Sequence, residues 1–398
     1  MENNVSDLLN RLSESATLAM SRKSRELQEK GINVVNLSLG EPDFNTPDFV
    51  KNAAKQAVDD NYSYYMPVNG YADFRESICK KFKRDNGLSF TAEQIVVSTG
   101  AKQSIINVLL SILNPGDEVL LPAPYWVSYV EMVKMAGATP IVIPSSIDTD
   151  YKVSADDVRS HITANTRILI FSSPCNPSGS VFSEAELRAI AKVVEENPRM
   201  IVISDEIYEH INYTENHFSI GSIDAIKDQV VTVNGVSKAY AMTGYRIGFM
   251  GAPLWIAKAC TKLQGQFTSG ASSIAQRAAK VAIEADPADV SYMREKFEER
   301  RALIGKMLNE IDGVEINKPQ GAFYMFPKVS SFFGKSYGDT TIRNSDDLAE
   351  YILSEGHVAT VSGAAFGSPE CIRISYAASE ENIMEAGKRL KSALNKLK

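Results

Sequence analysis

The stretch QVVTVNGVSKAYAMTGYRIGFM, residues 229–250, sets an apolar run (QVVTV) before a loop holding Lys238 and Arg246, and closes on a second run, RIGFM. Short runs rich in β-branched residues read as buried strands. Cations are rarely buried without a partner. A lysine and an arginine where such a strand opens into a loop therefore point to something anionic. Working outward, the same grammar recurs in QIVVS (94–98), EVLLP (118–122), TPIVIP (139–144), RILIFSS (167–173) and MIVIS (200–204). Amphipathic stretches such as AKQSIINVLLSIL and SEAELRAIAKVVEEN lie between them, and Ser183 with Glu186 fits a capping box that opens the latter. This alternation predicts an α/β fold: a large domain whose mostly parallel seven-stranded sheet is covered by helices on both faces. Ligands of such sheets bind beyond the carboxyl ends of the strands.

The pattern changes near residue 285. VSYMREKFEERRALIGKMLNEI reads as a long charged helix, followed by short strands (GAFYMFP, ECIRISYA) and further helices. Residues 1–45, a helix and VVNLSLGEPDF, have no place in the sheet rhythm. The expected division is a large domain over 46–285, with 1–45 and 286–398 forming a smaller α+β domain.

At 398 residues, two domains match the length, and the 44% hydrophobic and 23% charged composition is that of an ordinary soluble globular protein. A net charge of −7 without a Lys/Arg-rich block argues against nucleic acid or an anionic membrane as partner. Cys79, Cys175, Cys260 and Cys371 lie far apart, which argues against a zinc site or a disulfide framework. The polar N-terminal stretch lacks an apolar signal core, and no uncharged run reaches membrane-spanning length. A cytoplasmic enzyme is expected.

Polar residues gather just after the strands. STGAKQ runs from residues 94–98 into a helix whose first amides, behind Gly100, suit a phosphate. SSPCNPSG presents the Asn176 amide from a proline-bounded loop, and ISDEIYEH offers Asp205 and, one helical turn on, Tyr208. Each has a bland reading alone, as a turn, a turn asparagine or a helix cap. For Lys238 the bland reading is a solvated surface lysine, which the preceding apolar strand weakens. Together, consecutive strand ends offer an anion cradle, an amide, a carboxylate, a phenol, a lysine and an arginine. That set suits a phosphorylated aromatic aldehyde with a ring nitrogen, such as pyridoxal 5'-phosphate, which needs a lysine for its Schiff base and an acidic partner for the ring nitrogen.

From ATLAMSRKSRELQEKG to IRISYAASEEN the chain resembles the class I aminotransferases of the pyridoxal-phosphate fold-type I group. The resemblance implies that Lys238 is the Schiff-base lysine, that Asp205 binds the pyridine nitrogen, and that Asn176 and Tyr208 hydrogen-bond the phenolic oxygen. It implies that Arg246 and the amides of Gly100, Ala101 and Lys102 hold the phosphate, and that Trp126 stacks on the ring. Tyr65 would reach the phosphate of a neighbouring subunit, which implies a homodimer with shared sites. Arg373 and the Gly40 backbone would hold the substrate α-carboxylate, with Trp126 and Asn176 beside it. Many relatives carry a serine three residues before the lysine as a phosphate ligand; here that position is Gly235, and Ser237 stands two residues on.

No counterpart of a partner-subunit arginine for a distal carboxylate is found. Lys102, Ser15 and Thr17 instead match a mainly bacterial subgroup that recognises aspartate with a lysine in the phosphate turn. The implied activity is reversible amino transfer from L-aspartate to 2-oxoglutarate by a ping-pong cycle. Prephenate, aromatic amino acids or alanine are the alternative substrates. A P-loop ATP-binding protein is excluded because GKS at 334–336 has Val329 where its first glycine belongs. A GxGxxG dinucleotide site is excluded because no two of the 24 glycines are two residues apart. A pyridoxal-phosphate-dependent transcription regulator would need a DNA-binding domain, and a net acidic chain with residues 1–30 in one helix has no room for one.

Overall fold

The computed structural model describes residues 4–214 and 216–398. Its centre is a seven-stranded sheet of β1 (Ile95–Ser98), β2 (Glu118–Pro122), β3 (Thr139–Ile143), β4 (Thr166–Ser172), β5 (Ile201–Asp205), β6 (Val230–Gly235) and β7 (Gly248–Gly251). The spatial order is β1-β7-β6-β5-β4-β2-β3, and β7 alone runs antiparallel to its neighbours. Side chains alternate across a strand. Ile168, Ile170, Ile201 and Ile203 therefore enter one core, and Leu169, Phe171 and Val202 enter another on the opposite face. Both faces are buried, which is why the strands read as unbroken apolar runs. Each fully buried side chain of this kind contributes about 1.5–3 kcal/mol. Ser183 closes the expected capping box with Glu186 at the helix Glu184–Glu195.

The sheet exposes its chemistry where β4, β5 and β6 end. Gly235 pairs with Gly248, so the 236–247 loop returns into β7 beside β1. Gly248 has no side chain to keep the backbone of Gly100 and Ala101 away, and the N-terminus of helix Ala101–Ile112 closes onto the loop there. The last run is a strand only from Gly248; Arg246 precedes it with φ +55° and ψ +49°, a left-handed conformation that a non-glycine residue adopts at a cost of roughly 1–2 kcal/mol.

Val35–Asn36 pairs in parallel with Val358–Ala359, which joins the N-terminal segment to the C-terminal part. Ile372–Ser375 pairs antiparallel with Tyr324–Met325 and with Val361–Ser362. The long charged helix is Ser291–Asn309. Residues 1–30 do not form one helix: Asp7–Arg11 and Ala16–Glu29 are separate. Between them the Ser13 amide donates to Glu131 Oε2 at 2.9 Å, tying the break to helix Ser128–Met135. Among the described residues no helix is long and apolar enough to cross a membrane.

Candidate active site

A cavity of about 330 Å³ opens at the carboxyl ends of β4–β6, with walls from both ends of the chain. Asp205 is the last residue of β5 and 5% exposed. Burial pushes its carboxyl up to about 6, while the Tyr129 hydroxyl, donating to Oδ2 at 2.7 Å, and the Ile207 amide, donating to Oδ1 at 3.3 Å, pull it down. Among the described residues no cation lies within ion-pair distance of it. Lys238 Nζ donates to the Gly40 carbonyl at 2.5 Å. Burial lowers its ordinary pKa to about 8; Glu41 opposes this, and Arg373 and Arg246 reinforce it. Tyr208 is buried, and its hydroxyl lies 2.7 Å from that of Tyr324.

Arg373, on the Ile372–Ser375 strand, is 1% exposed. It donates to Asn176 Oδ1 at 3.0 Å and to the Ser38 carbonyl at 2.5 Å, and packs over the Tyr324 and Phe366 rings. Its Nε has no hydrogen-bond partner and no carboxylate pairs with it among the described residues. One cavity thus holds a buried carboxylate without a cation and a buried guanidinium without an anion. Both are costly until a ligand supplies the missing charges. A cationic ring nitrogen satisfies the first and a carboxylate the second.

On the phosphate side, Ala101 and Lys102 line the cavity with Arg246. Gly100, at φ +83°, leaves room for that arginine: a Cβ there would stand 2.5 Å from its guanidinium nitrogen. Lys102 lies at the rim, partly covered, its Nζ 4.9 Å from the Trp126 ring centre, and this partial burial and then Arg246 lower its pKa. Ser15 occupies the N-cap position of helix Ala16–Glu29 but its hydroxyl makes no capping bond; it lines the cavity together with Thr17.

Apart from Gly100 and Tyr65, every residue named from the sequence as catalytic or ligand-binding lines this cavity. Gly100 abuts it through Arg246, whereas Tyr65 is 97% exposed and outside it. At Gly235 a Cβ would meet the Ile247 carbonyl oxygen at 2.9 Å and Gly248 Cα at 3.0 Å, which explains why no serine stands there. Ser237 lines the cavity. Residue-by-residue reading missed Tyr129, Tyr324, Ser172, and the Thr243 hydroxyl bonded to Glu41.

The chain belongs to the class I and II aminotransferase family, whose model matches residues 32–390. Its cofactor is pyridoxal 5'-phosphate, and the donor set fits that group. The bifunctional aspartate aminotransferase and glutamate/aspartate-prephenate aminotransferase of Petunia hybrida is 45% identical, covering 99% of this chain and 83% of the relative. The aspartate/prephenate aminotransferase of Cereibacter sphaeroides is 42% identical over 98% of both chains. Among solved structures, the aspartate aminotransferase of Rhizobium meliloti superimposes with a TM-score of 0.96 at 36% identity, covering 99% of this chain and all of that one. The aspartate aminotransferase of Thermus thermophilus with maleate gives 0.92 at 37% identity, covering 98% of this chain and 100% of its own.

Proposed function

We propose that the protein is an aspartate aminotransferase that moves the amino group of L-aspartate to 2-oxoglutarate and releases oxaloacetate and L-glutamate. The observation that carries this reading is the meeting of Lys102, Ser15 and Thr17 in the cavity that holds Arg373. A dicarboxylic substrate needs two anion receptors, and these residues supply the second.

In this reading Arg246, Ser237 and the amides of residues 100–102 hold the phosphate, Asp205 the ring nitrogen, and Tyr208 and Asn176 the phenolic oxygen. Trp126 covers the ring. When bound, pyridoxal phosphate supplies the carbonyl that takes up the amino group and an electron-withdrawing ring that acidifies the substrate Cα–H. Lys238 Nζ, lowered to about 8, is a free amine often enough near neutral pH to accept that proton and return it on the way to product. Asp205 stays ionised opposite a cationic nitrogen and so favours the electron-poor form of the ring. Arg373 pairs with the α-carboxylate and orients the Cα–H bond. The amino acid leaves as its oxo acid before the second oxo acid enters, a ping-pong order.

Residues 46–285 then act as the cofactor-binding domain, and 1–45 with 286–398 as the small domain. Tyr65 serves the site of a second copy, in a cytoplasmic homodimer. Prephenate as amino acceptor is the second reading, favoured by the names of the relatives; aromatic amino acids and alanine are further alternatives. The test is oxaloacetate release from L-aspartate and 2-oxoglutarate by wild type and Arg373→Ala. The variant is expected to lose on the order of a hundredfold or more in kcat/KM for both substrates, as when one partner of a buried charge pair is removed. Wild-type turnover confined to prephenate or aromatic substrates would overturn the aspartate assignment.

A further inference from the structure

Asp205 and Tyr208 line the cavity; Glu206 and Glu209, each one residue on, lie outside it, 1% and 6% exposed. Glu206 is fully partnered. Its Oε1 accepts from Ser204 at 2.9 Å and Ser219 at 2.6 Å, and its Oε2 meets Asn86 Nδ2 and His217 Nε2, each at 2.8 Å. Asn86 also donates to Glu209 Oε2 at 2.5 Å and accepts from Lys81 Nζ at 2.7 Å. Lys81 pairs with Glu209 and lies 3.6 Å from Asp85, and the Asp85 carboxylate is held by Arg84. His210 Nε2 stands 3.2 Å from Glu209 and 3.5 Å from Asp85.

The ligand atoms of Asp85, Glu209 and His210, and those of Glu206, Glu209 and His217, gather within 4.8 Å of one another as a metal site would require. The Lys81 ammonium already sits among these carboxylates, so the protein supplies its own cation. Asp85 and Glu209 face Lys81, with Arg84 on Asp85, whereas Glu206 faces His217. Burial pulls both imidazoles down, but Glu209 and Asp85 for His210, and Glu206 for His217, bring each out above its ordinary value.

Burying so many charges is not an economical way to stabilise a helix against a turn, since apolar packing often does as well. The location supplies a reason. The network ties helix Ala72–Asn86 to the turn that presents Asp205 and Tyr208. After burial, and against Tyr129 and the Ile207 amide, the Glu206 charge is a further influence raising Asp205, opposed by Lys238. We propose that the Glu206–His217 pair, braced by Asn86, Lys81 and Glu209, positions Asp205 and sets the electrostatic potential at the cofactor ring. The proposal rests on the reading of Asp205 as the ring-nitrogen partner.

The test titrates the visible absorbance of the bound cofactor against pH in the holoenzyme. Glu206→Gln removes a negative charge near the ring and is expected to move the titration to lower pH. His217→Gln keeps a donor but removes a positive charge, and is expected to move it to higher pH. A unit charge about 10 Å away at an effective dielectric of about 20 is worth about one pH unit, which sets the order of magnitude of each shift. The charge-neutral pair Lys81→Met/Glu209→Gln tests the brace without stranding a buried charge. It is expected to weaken pyridoxal phosphate binding on the order of tenfold, as loss of an outer-shell support does. Both glutamine variants titrating like wild type, or shifting in the same direction, would overturn the proposal. So would unchanged cofactor affinity in the double variant. An Asp205→Ala variant that titrates like wild type would instead overturn the reading of Asp205.

Discussion

The Tyr129 hydroxyl donates to Asp205 Oδ2 at 2.7 Å, between two side chains that are both closed to solvent. This bond favours the ionised carboxylate and offsets part of the effect of burial. Replacing Tyr129 by Phe removes it without changing the ring. A buried hydrogen bond to a charged group contributes about 1.5–3 kcal/mol. The variant is therefore expected to bind pyridoxal phosphate at least about tenfold more weakly, measured by reconstitution of the apoenzyme. Unchanged affinity would show that Tyr129 only fills space.

Asp205 also predicts a pH dependence. Its folded value of about 6 lies above the ordinary 3.8, so without a cationic partner the folded state binds the proton more tightly than the unfolded chain. The apoenzyme therefore loses stability as pH rises from about 4 to about 6, by up to about 3 kcal/mol for this group. A cationic ring nitrogen relieves that loss. The stabilisation given by pyridoxal phosphate should grow across the same window, and thermal melts of apo and holo protein between pH 4 and 7 check it. Asp205→Asn should flatten the trend.

Lys102, Ser15 and Thr17 should act on specificity and not on the chemical step. Lys102→Ala is expected to lower kcat/KM for aspartate by about ten- to a hundredfold, the range for losing one charge-assisted contact of about 1.5–3 kcal/mol. Alanine, which has no distal carboxylate, should be little affected. Ser15→Ala with Thr17→Val should act in the same direction with a smaller effect. Equal losses for both amino acids would make Lys102 a cofactor residue only.

Gly235→Ser would restore the serine that many relatives carry, yet its Cβ would meet backbone at 2.9 Å and 3.0 Å. Overpacking of this kind costs about 1–3 kcal/mol. The variant should melt at a lower temperature than wild type, and Ser237→Ala should weaken cofactor binding. A Gly235→Ser protein with unchanged melting temperature would contradict the steric account.

Much of this site was legible because strand ends concentrate unusual residues. Asp205 closes an apolar run, and Lys238 and Arg246 break the next two, so each stands out from its surroundings. Tyr129 and Tyr324 did not stand out. A tyrosine among apolar residues looks like packing, and its hydroxyl partner 76 or 116 residues away in the chain is visible only once the sheet is assembled. The strand alternation predicted the sheet, but not the antiparallel β7 between β1 and β6, since period and composition carry no direction. The break between Asp7–Arg11 and Ala16–Glu29 was missed because both pieces share one polar, helix-compatible composition. Tyr65 is exposed on this chain, and the role expected of it would require a second copy.

The central claim is most directly tested by adding one amino acid at a time to the purified holoenzyme and following the visible absorbance of its cofactor. The account predicts rapid loss of the band with L-aspartate and L-glutamate and little change with L-alanine or L-phenylalanine, with no response in Lys238→Ala. A faster response to aromatic amino acids than to aspartate would contradict the dicarboxylate assignment, and a normal response from Lys238→Ala would contradict the chemistry assigned to Lys238.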